Sequence, residues 1–252
     1  MSFARTALRL LVVQAISGSA GTRPTVAEGR IYDSRLSPEQ PDVFGDDARP
    51  TVIVFTDNDT GDALSDQNGG PPFKRNIDLV FDLGMVAREK AEGDADGYLI
   101  GWPDTDARLE ASLDVLQAQI MRHLAKSDDP LAVLFQRFIR VWSQSSFRQV
   151  EDETGMKLAR RMWTLTCEVP DDDFDDIADG ATGLDRLPDP LRTVAKLMPQ
   201  GSSGADTCAA IAAAFPPLDA PVAFRGLDIT IDAGSPADES ASDHHIVASA
   251  DL

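Results

Sequence analysis

The sequence has few of the residues that usually carry chemistry. It holds 2 cysteines and 3 histidines among its 252 residues, and His244 and His245 lie close to the C-terminus. Two cysteines are too few for a disulfide framework, although Cys167 and Cys208 could form a single bridge, and no CxxC or His/Cys cluster indicates zinc. So few histidines also leave little for acid–base catalysis near neutral pH.

The motifs of the common enzyme classes are missing as well. No GxSxG, P-loop, GxGxxG or HExxH pattern occurs. The acidic segment DNDTGD resembles the start of a calcium loop, but Gly61, Asp62 and Asn68 stand at its fifth, sixth and twelfth places. That loop needs Asp or Asn, Gly and Glu there. We therefore expect no catalysis, no cofactor and no metal, and a soluble host metal-binding domain or enzyme is the weakest alternative.

No stretch of the sequence is long and apolar enough to span a bilayer, so no membrane partner is expected. The apolar run Leu10–Val13 imitates a signal peptide, but it is short and Gln14 interrupts it. Apolar residues at helical spacing instead predict an amphipathic helix that ends near Gly18. The residues at that spacing are Ala4, Leu8, Leu11, Val12 and Ala15.

The charge of the chain is strongly negative and unevenly distributed. Acidic residues number 42 against 23 basic ones, a net charge of −19, and residues 170–252 hold 16 acidic and 4 basic residues. Because an acidic surface repels phosphate backbones, sequence-specific binding of nucleic acid is not expected. Acidity still allows DNA to slide past such a surface without adhering to it.

Two neighbouring segments predict the centre of a β-sheet. Pro50–Thr56 is a continuous run of β-branched and aromatic residues, which is typical of a strand covered on both sides. Phe73–Val86 alternates apolar and polar residues and predicts a long strand with one buried face, one wet face and one projecting end. Between them, Asp57–Pro72 is polar and rich in Asp, Gly and Pro, so we expect a functional loop or flap.

The remaining pattern predicts a short strand and helices that pack on this sheet. Gly29–Ser34 indicates the strand, Arg108–Lys126 the strongest helix, and Leu131–Phe138 a short one. Ile139–Val150 and Met156–Val169 are typical of strands joined by a hairpin turn. The order of elements predicts an α/β (α+β) fold, a mixed β-sheet flanked by helices with a C-terminal extension.

The composition changes at Pro170 and suggests three parts. Residues 1–169 form the α/β domain, residues 170–231 an extension, and residues 232–252 a flexible acidic tail. Short helices and one strand are expected in the extension. They fall at Leu187–Leu197, Ala205–Phe215 and Pro221–Ile231.

The order of these segments resembles that of a known protein family. After the first helix come GRIYDSRLSP, PTVIVFTDND and a long polar loop, then FKRNIDLVFDLGMVARE, LEASLDVLQAQIMRHL and a closing strand that ends in MWTLTCEV. Over residues 1–169 this arrangement resembles the tail terminator proteins of long-tailed bacteriophages. These minor tail proteins close the tail tube below the head connector.

The resemblance implies a structural virion protein without catalytic activity. It implies a mixed-sheet fold and a homohexameric ring that caps the tail tube, stops its polymerisation and joins it to the head connector. The implied partners are copies of the chain itself, the tail tube protein and the head–tail connector protein, with DNA passing through the lumen without specific binding. The implied location is the neck end of the virion tail, after assembly in the host cytoplasm. A head–tail connector or neck protein is the alternative.

A ring subunit needs edge strands and long flaps that reach its neighbours. The strand ends around residues 57–72 and 85–101 are the candidates. Charged residues near these ends and in the short strand are expected at a subunit or tube interface. They are Asp33, Arg35, Asp57, Asp59, Lys74, Arg75 and Arg88. Two alternatives stay open: a local salt bridge between Asp33 and Arg35, and Arg160 and Arg161 facing solvent, the lumen or a partner.

Overall fold

The structure, a computed structural model, is organised by one mixed β-sheet. It describes residues 2–18, 23–34, 50–65, 67, 69–85, 89–90, 98–99, 106–151 and 158–214. The strands are β1 (Ile31–Asp33), β2 (Pro50–Ala63), β3 (Phe73–Met85), β4 (Glu89–Lys90), β5 (Tyr98–Leu99), β6 (Arg140–Glu151) and β7 (Leu158–Val169). The main sheet has the order β1-β2-β3-β7-β6, with β1 parallel to β2 and the other neighbours antiparallel. The two short strands β4 and β5 pair separately.

The described residues form five α-helices. They are α1 (Phe3–Ser17), α2 (Asp106–Lys126), α3 (Pro130–Phe138), α4 (Leu191–Leu197) and α5 (Ser203–Ala214). Side chains cap α1 and α3: Ser2 Oγ accepts a hydrogen bond from Ala4 N at 3.0 Å, and Asp129 Oδ1 accepts one from Leu131 N at 3.0 Å. Ser202 Oγ likewise accepts one from Ala205 N of α5 at 3.2 Å. The predicted α+β fold is confirmed. None of the helices in the described ranges is long and apolar enough to cross a bilayer.

One face of the sheet packs against the helices, and we call it the helix-covered face. Ile77, Leu79, Phe81 and Leu83 of β3 lie on it, beside Val52 and Val54 of β2. The ring of Phe81 stacks on that of Trp163 from β7, with centroids 4.6 Å apart. The apolar stripe of α2 is buried in the same core. Its described members are Leu113, Leu116, Ile120 and Leu124.

The opposite face of the sheet is less exposed to solvent than the alternating pattern of β3 predicts. Ile53, Val80 and Asp82 are at most 4% exposed there. Arg160, from the neighbouring strand β7, donates to the carboxylate of Asp82 through two nitrogens, one at 2.7 Å, and so pairs this buried charge. The prediction of a fully wet second face is therefore wrong at the centre of the sheet.

The predicted loop between the two central strands is in part a strand. β2 continues to Ala63, and its outer half pairs with the start of β3. The prediction of a loop was wrong here because it was based on the polar composition of the segment. Strands pair through backbone hydrogen bonds, which polar side chains do not prevent. We call residues 57–63 and 73–77 the ribbon. Phe73 and Lys74 extend past the end of β7, whose last residue, Val169, pairs with Arg75, in agreement with a projecting end.

The chain after β7 shares the core of the α/β domain. Helix α4 packs against α1 and α3. The two predicted helices of the extension occur as α4 and α5, and their apolar residues join one cluster with those of α1. Those residues include Leu191, Val194, Ala195, Cys208 and Ala212. The predicted strand Pro221–Ile231 and the tail 232–252 lie outside the described residues.

Candidate functional site

The ribbon begins at a β-bulge in β2. Thr56 pairs with Leu79, but the next paired residue of β2 is Asp59, opposite Ile77, so β2 carries one extra residue there. A bulge leaves backbone groups without ladder partners, and these need other hydrogen bonds. Nη2 of Arg5, in α1, donates to the carbonyl oxygens of Thr56 at 2.8 Å and Asp57 at 2.9 Å. Helix α1 thereby fixes the base of the ribbon.

Beyond the bulge, Arg75 joins both strands of the ribbon to the segment that follows β7. Its Nη1 lies 2.9 Å from Oδ1 of Asp59, and its Nη2 lies 2.6 Å from Oδ1 of Asp171. The second oxygen of Asp171 accepts a hydrogen bond from Phe73 N at 2.8 Å. Burial alone would raise the pKa of Asp171, but the hydrogen bonds from Phe73 and Arg75 outweigh burial and lower it.

The next residue, Asp172, ties the same segment to α1. Its Oδ2 accepts a hydrogen bond from Phe3 N at 2.9 Å, at the N-terminus of the helix. Burial, together with the negative charge of Asp171, raises the pKa of Asp172 in spite of its hydrogen bonds. Two adjacent carboxylates therefore hold the ribbon and the first helix together.

A second cluster lies on the opposite face of the sheet, where β6 begins. Trp142 sits at a shift of register between Val141 and Ser143 and is 48% exposed. Its Nε1 donates to Oε2 of Glu168 at 2.8 Å. Lys74 Nζ lies 3.7 Å from the same carboxylate oxygen and 5.0 Å from the centroid of the indole ring, and Arg140 Cζ lies 4.0 Å from that centroid. Cation–π contacts of this kind hold an exposed indole in place.

The structure brings together some of the residues predicted from sequence and separates others. Asp59 and Arg75 form an ion pair at the base of the ribbon, and Lys74 belongs to the Trp142 cluster. Asp57 contributes a backbone carbonyl, and its side chain is exposed. Asp33 forms an ion pair with Arg9 of α1, with Nε and Oδ1 2.5 Å apart. Arg35 and Arg88 lie outside the described residues.

The paired arginines of β7 are both engaged within the chain. Arg160 binds Asp82 on the opposite face, whereas Arg161 lies on the helix-covered face beside Asp114 and Glu110 of α2. Successive residues of a strand point to opposite sides, so the two side chains cannot share a partner. Arg5, Asp171 and Trp142 were not predicted from the sequence as site residues. Only the acidic run after Pro170 gave a signal for Asp171.

The two cysteines are buried free thiols and do not form a bridge. Burial, helped by the negative charge of Asp78, raises the pKa of Cys167 to about 12, and burial raises that of Cys208 to about 11. Thiols that stay protonated at neutral pH are poor nucleophiles and poor metal ligands. Within the described ranges, no three His, Cys, Asp or Glu residues are grouped as a metal site would require.

Two backbone edges of the main sheet are open in the described part of the chain. β6 pairs with β7 alone, and its residues Trp142–Arg148 are all exposed. On the other side of the sheet, β1 pairs with β2 alone and only at Val52–Val54, so β1 and the outer half of β2 together form the second open edge. Open edges of this kind can accept a further strand.

Comparison with known protein families and curated sequences adds no relative. A scan against known protein families finds no match for this chain. A search of curated proteins finds no matching sequence either. A functional proposal therefore rests on the sequence resemblance and on the geometry of the sheet, the ribbon and the two open edges.

Proposed function

We propose that this chain is a structural virion protein, a ring-forming tail terminator that caps the tail tube. In this role it stops tube polymerisation and joins the tube to the head connector. The observation that carries the proposal is the pair of open edges on one sheet. A subunit with two different open edges can contact a neighbour on each side, and such heterologous contacts close into a ring when the rotation between copies permits.

The fold and the charged residues support this proposal further. A mixed sheet with helices packed on one face agrees with the fold that the sequence resemblance implies. The ion pairs of Arg75 with Asp59 and Asp171 hold the ribbon in one position. A surface that contacts another subunit needs such a fixed position. A net charge of −19 suits a lumen through which DNA passes, because like charges repel.

The experiment combines native mass spectrometry with a tube-assembly assay. The purified protein should give an oligomer of about six copies, a number taken from the resemblance. When it is added to polymerising tail tube protein of the same genome, electron microscopy should show arrested tubes with a ring at one end. A strictly monomeric protein at high concentration, without effect on tube length, would overturn the proposal. Density on the portal side of the neck in whole particles would favour a connector instead.

A further inference from the structure

We propose that neighbouring copies join edge to edge, with the start of β6, residues Arg140–Gln144, of one copy adding as a strand to residues Thr56–Thr60 of β2 in the next. The occupant of both open edges is therefore a second copy of this chain. The inference rests on the proposed function, because a closed ring uses both edges of every subunit. It adds to that function the strands, the faces and the charged residues that make the contact.

The β6 edge carries an arginine that forms no ion pair among the described residues. Arg148 is held by Glu110, with Nε and Oε1 3.2 Å apart. Arg140 instead rests on the ring of Trp142 and contacts no carboxylate among the described residues. Phe147, further along the same strand, is 58% exposed. A basic strand with exposed aromatic side chains therefore borders one side of the sheet.

The outer half of β2 offers the complementary charge. It contains three aspartates, of which Asp59 is already paired with Arg75. Asp57 and Asp62 are exposed. Lys74 stands opposite Asp62 in the ladder, but its ammonium group is directed toward Glu168 and Trp142, on the β6 side. Among the described residues, the carboxylates of Asp57 and Asp62 form no ion pair, so the β2 edge presents acidic side chains that a neighbouring copy can pair.

The directions of the strands make the two edges compatible. Each of the pairs β2–β3, β3–β7 and β7–β6 is antiparallel, so β6 runs opposite to β2. We take the ring axis, which relates neighbouring copies, to be parallel to the strands. Rotation about this axis changes neither the direction of the strands nor the face of the sheet that points out of the ring. β6 of one copy therefore meets β2 of the next as an antiparallel strand, the arrangement in which backbone hydrogen bonds are perpendicular to the strands.

The levels of the charged residues along the strands also match. Thr60, Asn76, Glu168 and Arg140 form one cross-strand row, so Arg140 lies at the level of Thr60. Copies in a closed ring have no rise relative to one another, so this level is kept between neighbours. Arg140–Gln144 of one copy then faces Thr56–Thr60 of the next, and the rest of β6 lies at the level of β1 and forms no ladder with β2. Thr60 and Asp62 point to the same face of the strand as Arg140. Arg140 of one copy is thus placed beside Asp62 of the next.

A charge-swap experiment tests this contact. Arg140→Glu and Asp62→Lys should each weaken association about tenfold, because each places like charges opposite one another, and the double variant should recover most of the loss. Native mass spectrometry and sedimentation measure the oligomer. Arg122→Glu and Asp179→Lys are the matched controls, since both side chains are exposed and lie away from the two edges.

A cross-link provides a second readout that does not depend on charge. Ser143 is level with the bulge beside Asn58, so Ser143→Cys combined with Asn58→Cys should form intermolecular disulfides under mild oxidation. A ladder of linked copies in denaturing gels is expected, whereas Arg122→Cys with Asn58→Cys should give none. The native thiols are buried and do not compete.

The outcomes separate this inference from the proposed function. A wild-type ring with unaffected charge variants and no cross-link overturns edge pairing and leaves the tail terminator proposal standing. Rings that cross-link but do not cap tubes support edge pairing and overturn the terminator role. A wild-type protein that stays monomeric and does not cross-link overturns both.

Discussion

Arg75 lies between two carboxylates at a position from which water is largely excluded. Its side chain is 16% exposed, and those of Asp59 and Asp171 are 10% and 5% exposed. At such a site, removing one partner leaves a charged group with too few hydrogen bonds, and that penalty exceeds the net gain from the intact pair. We interpret this group as a link that fixes the ribbon more than as a source of stability.

Asp171→Asn is predicted to lower the free energy of unfolding at pH 7 by roughly 1.5–3 kcal/mol, the range for hydrogen bonds to charged groups. Because the folded state lowers the pKa of Asp171, its stabilisation is present above the ordinary value of 3.8 and is lost as the pH falls through the lower folded value. The variant should therefore lose less stability on acidification below about pH 4. Urea denaturation at several pH values measures both effects.

The control for this prediction is Asp179→Asn, at an exposed turn. Asp172 works in the opposite direction, since its raised pKa makes its contribution largest at low pH and diminishes it as the pH rises through the folded value. If Asp171→Asn and wild type have the same stability at pH 7 and the same acid dependence, Asp171 does not anchor the ribbon.

At the scale of elements, burial decided what could be predicted from the sequence. Helices α1 and α2 and strand β3 pack apolar residues on the core, and their periodicity revealed them. The outer half of β2 pairs through its backbone while exposing polar side chains, so no periodicity marked it. Asp59 and Arg75 were identified as site residues, but Asp171 is 96 positions from Arg75, and no local pattern connects residues that far apart.

Helix α4 provides a test of how firmly the chain after β7 belongs to the core. Leu191 is fully buried, whereas Leu197 on the same helix is 40% exposed. Leu191→Ala should lower the free energy of unfolding by about 2–5 kcal/mol, and Leu197→Ala by well under half of that. Thermal and urea denaturation of both variants give the comparison. Equal effects would mean that α4 adheres loosely and that the core ends with β7.

At the scale of the whole molecule, two open edges are also a hazard, because unpaired strands invite indiscriminate association. A net charge of −19 opposes that association, since copies repel one another unless a local contact overcomes the repulsion. Arg140 is one of the few basic groups at an edge. Repulsion over the whole surface combined with one complementary contact favours a defined assembly over aggregation.

The salt dependence of association should reveal this balance. The ratio of the association constants of wild type and Arg140→Glu should shrink toward one as salt rises from 0.1 to 1 M, where the screening length falls from about 10 Å to about 3 Å. Repulsion between whole copies is nearly common to both proteins and largely cancels in the ratio. Sedimentation at each salt concentration measures it. A ratio independent of salt would show that Arg140 acts through packing and not through charge.

The bulge at the base of the ribbon allows β2 to become one residue shorter, but not longer, without a change in the pairing beyond it. From Thr56 to Asp59 the chain takes three steps, while β3 takes two from Leu79 to Ile77. A chain shortened by Asn58 would still bring Asp59 opposite Ile77 and within reach of Arg75. A chain lengthened at the same point would have to accommodate two surplus residues in a single ladder. Insertions and deletions there should therefore be tolerated unequally, with losses accepted and gains rejected.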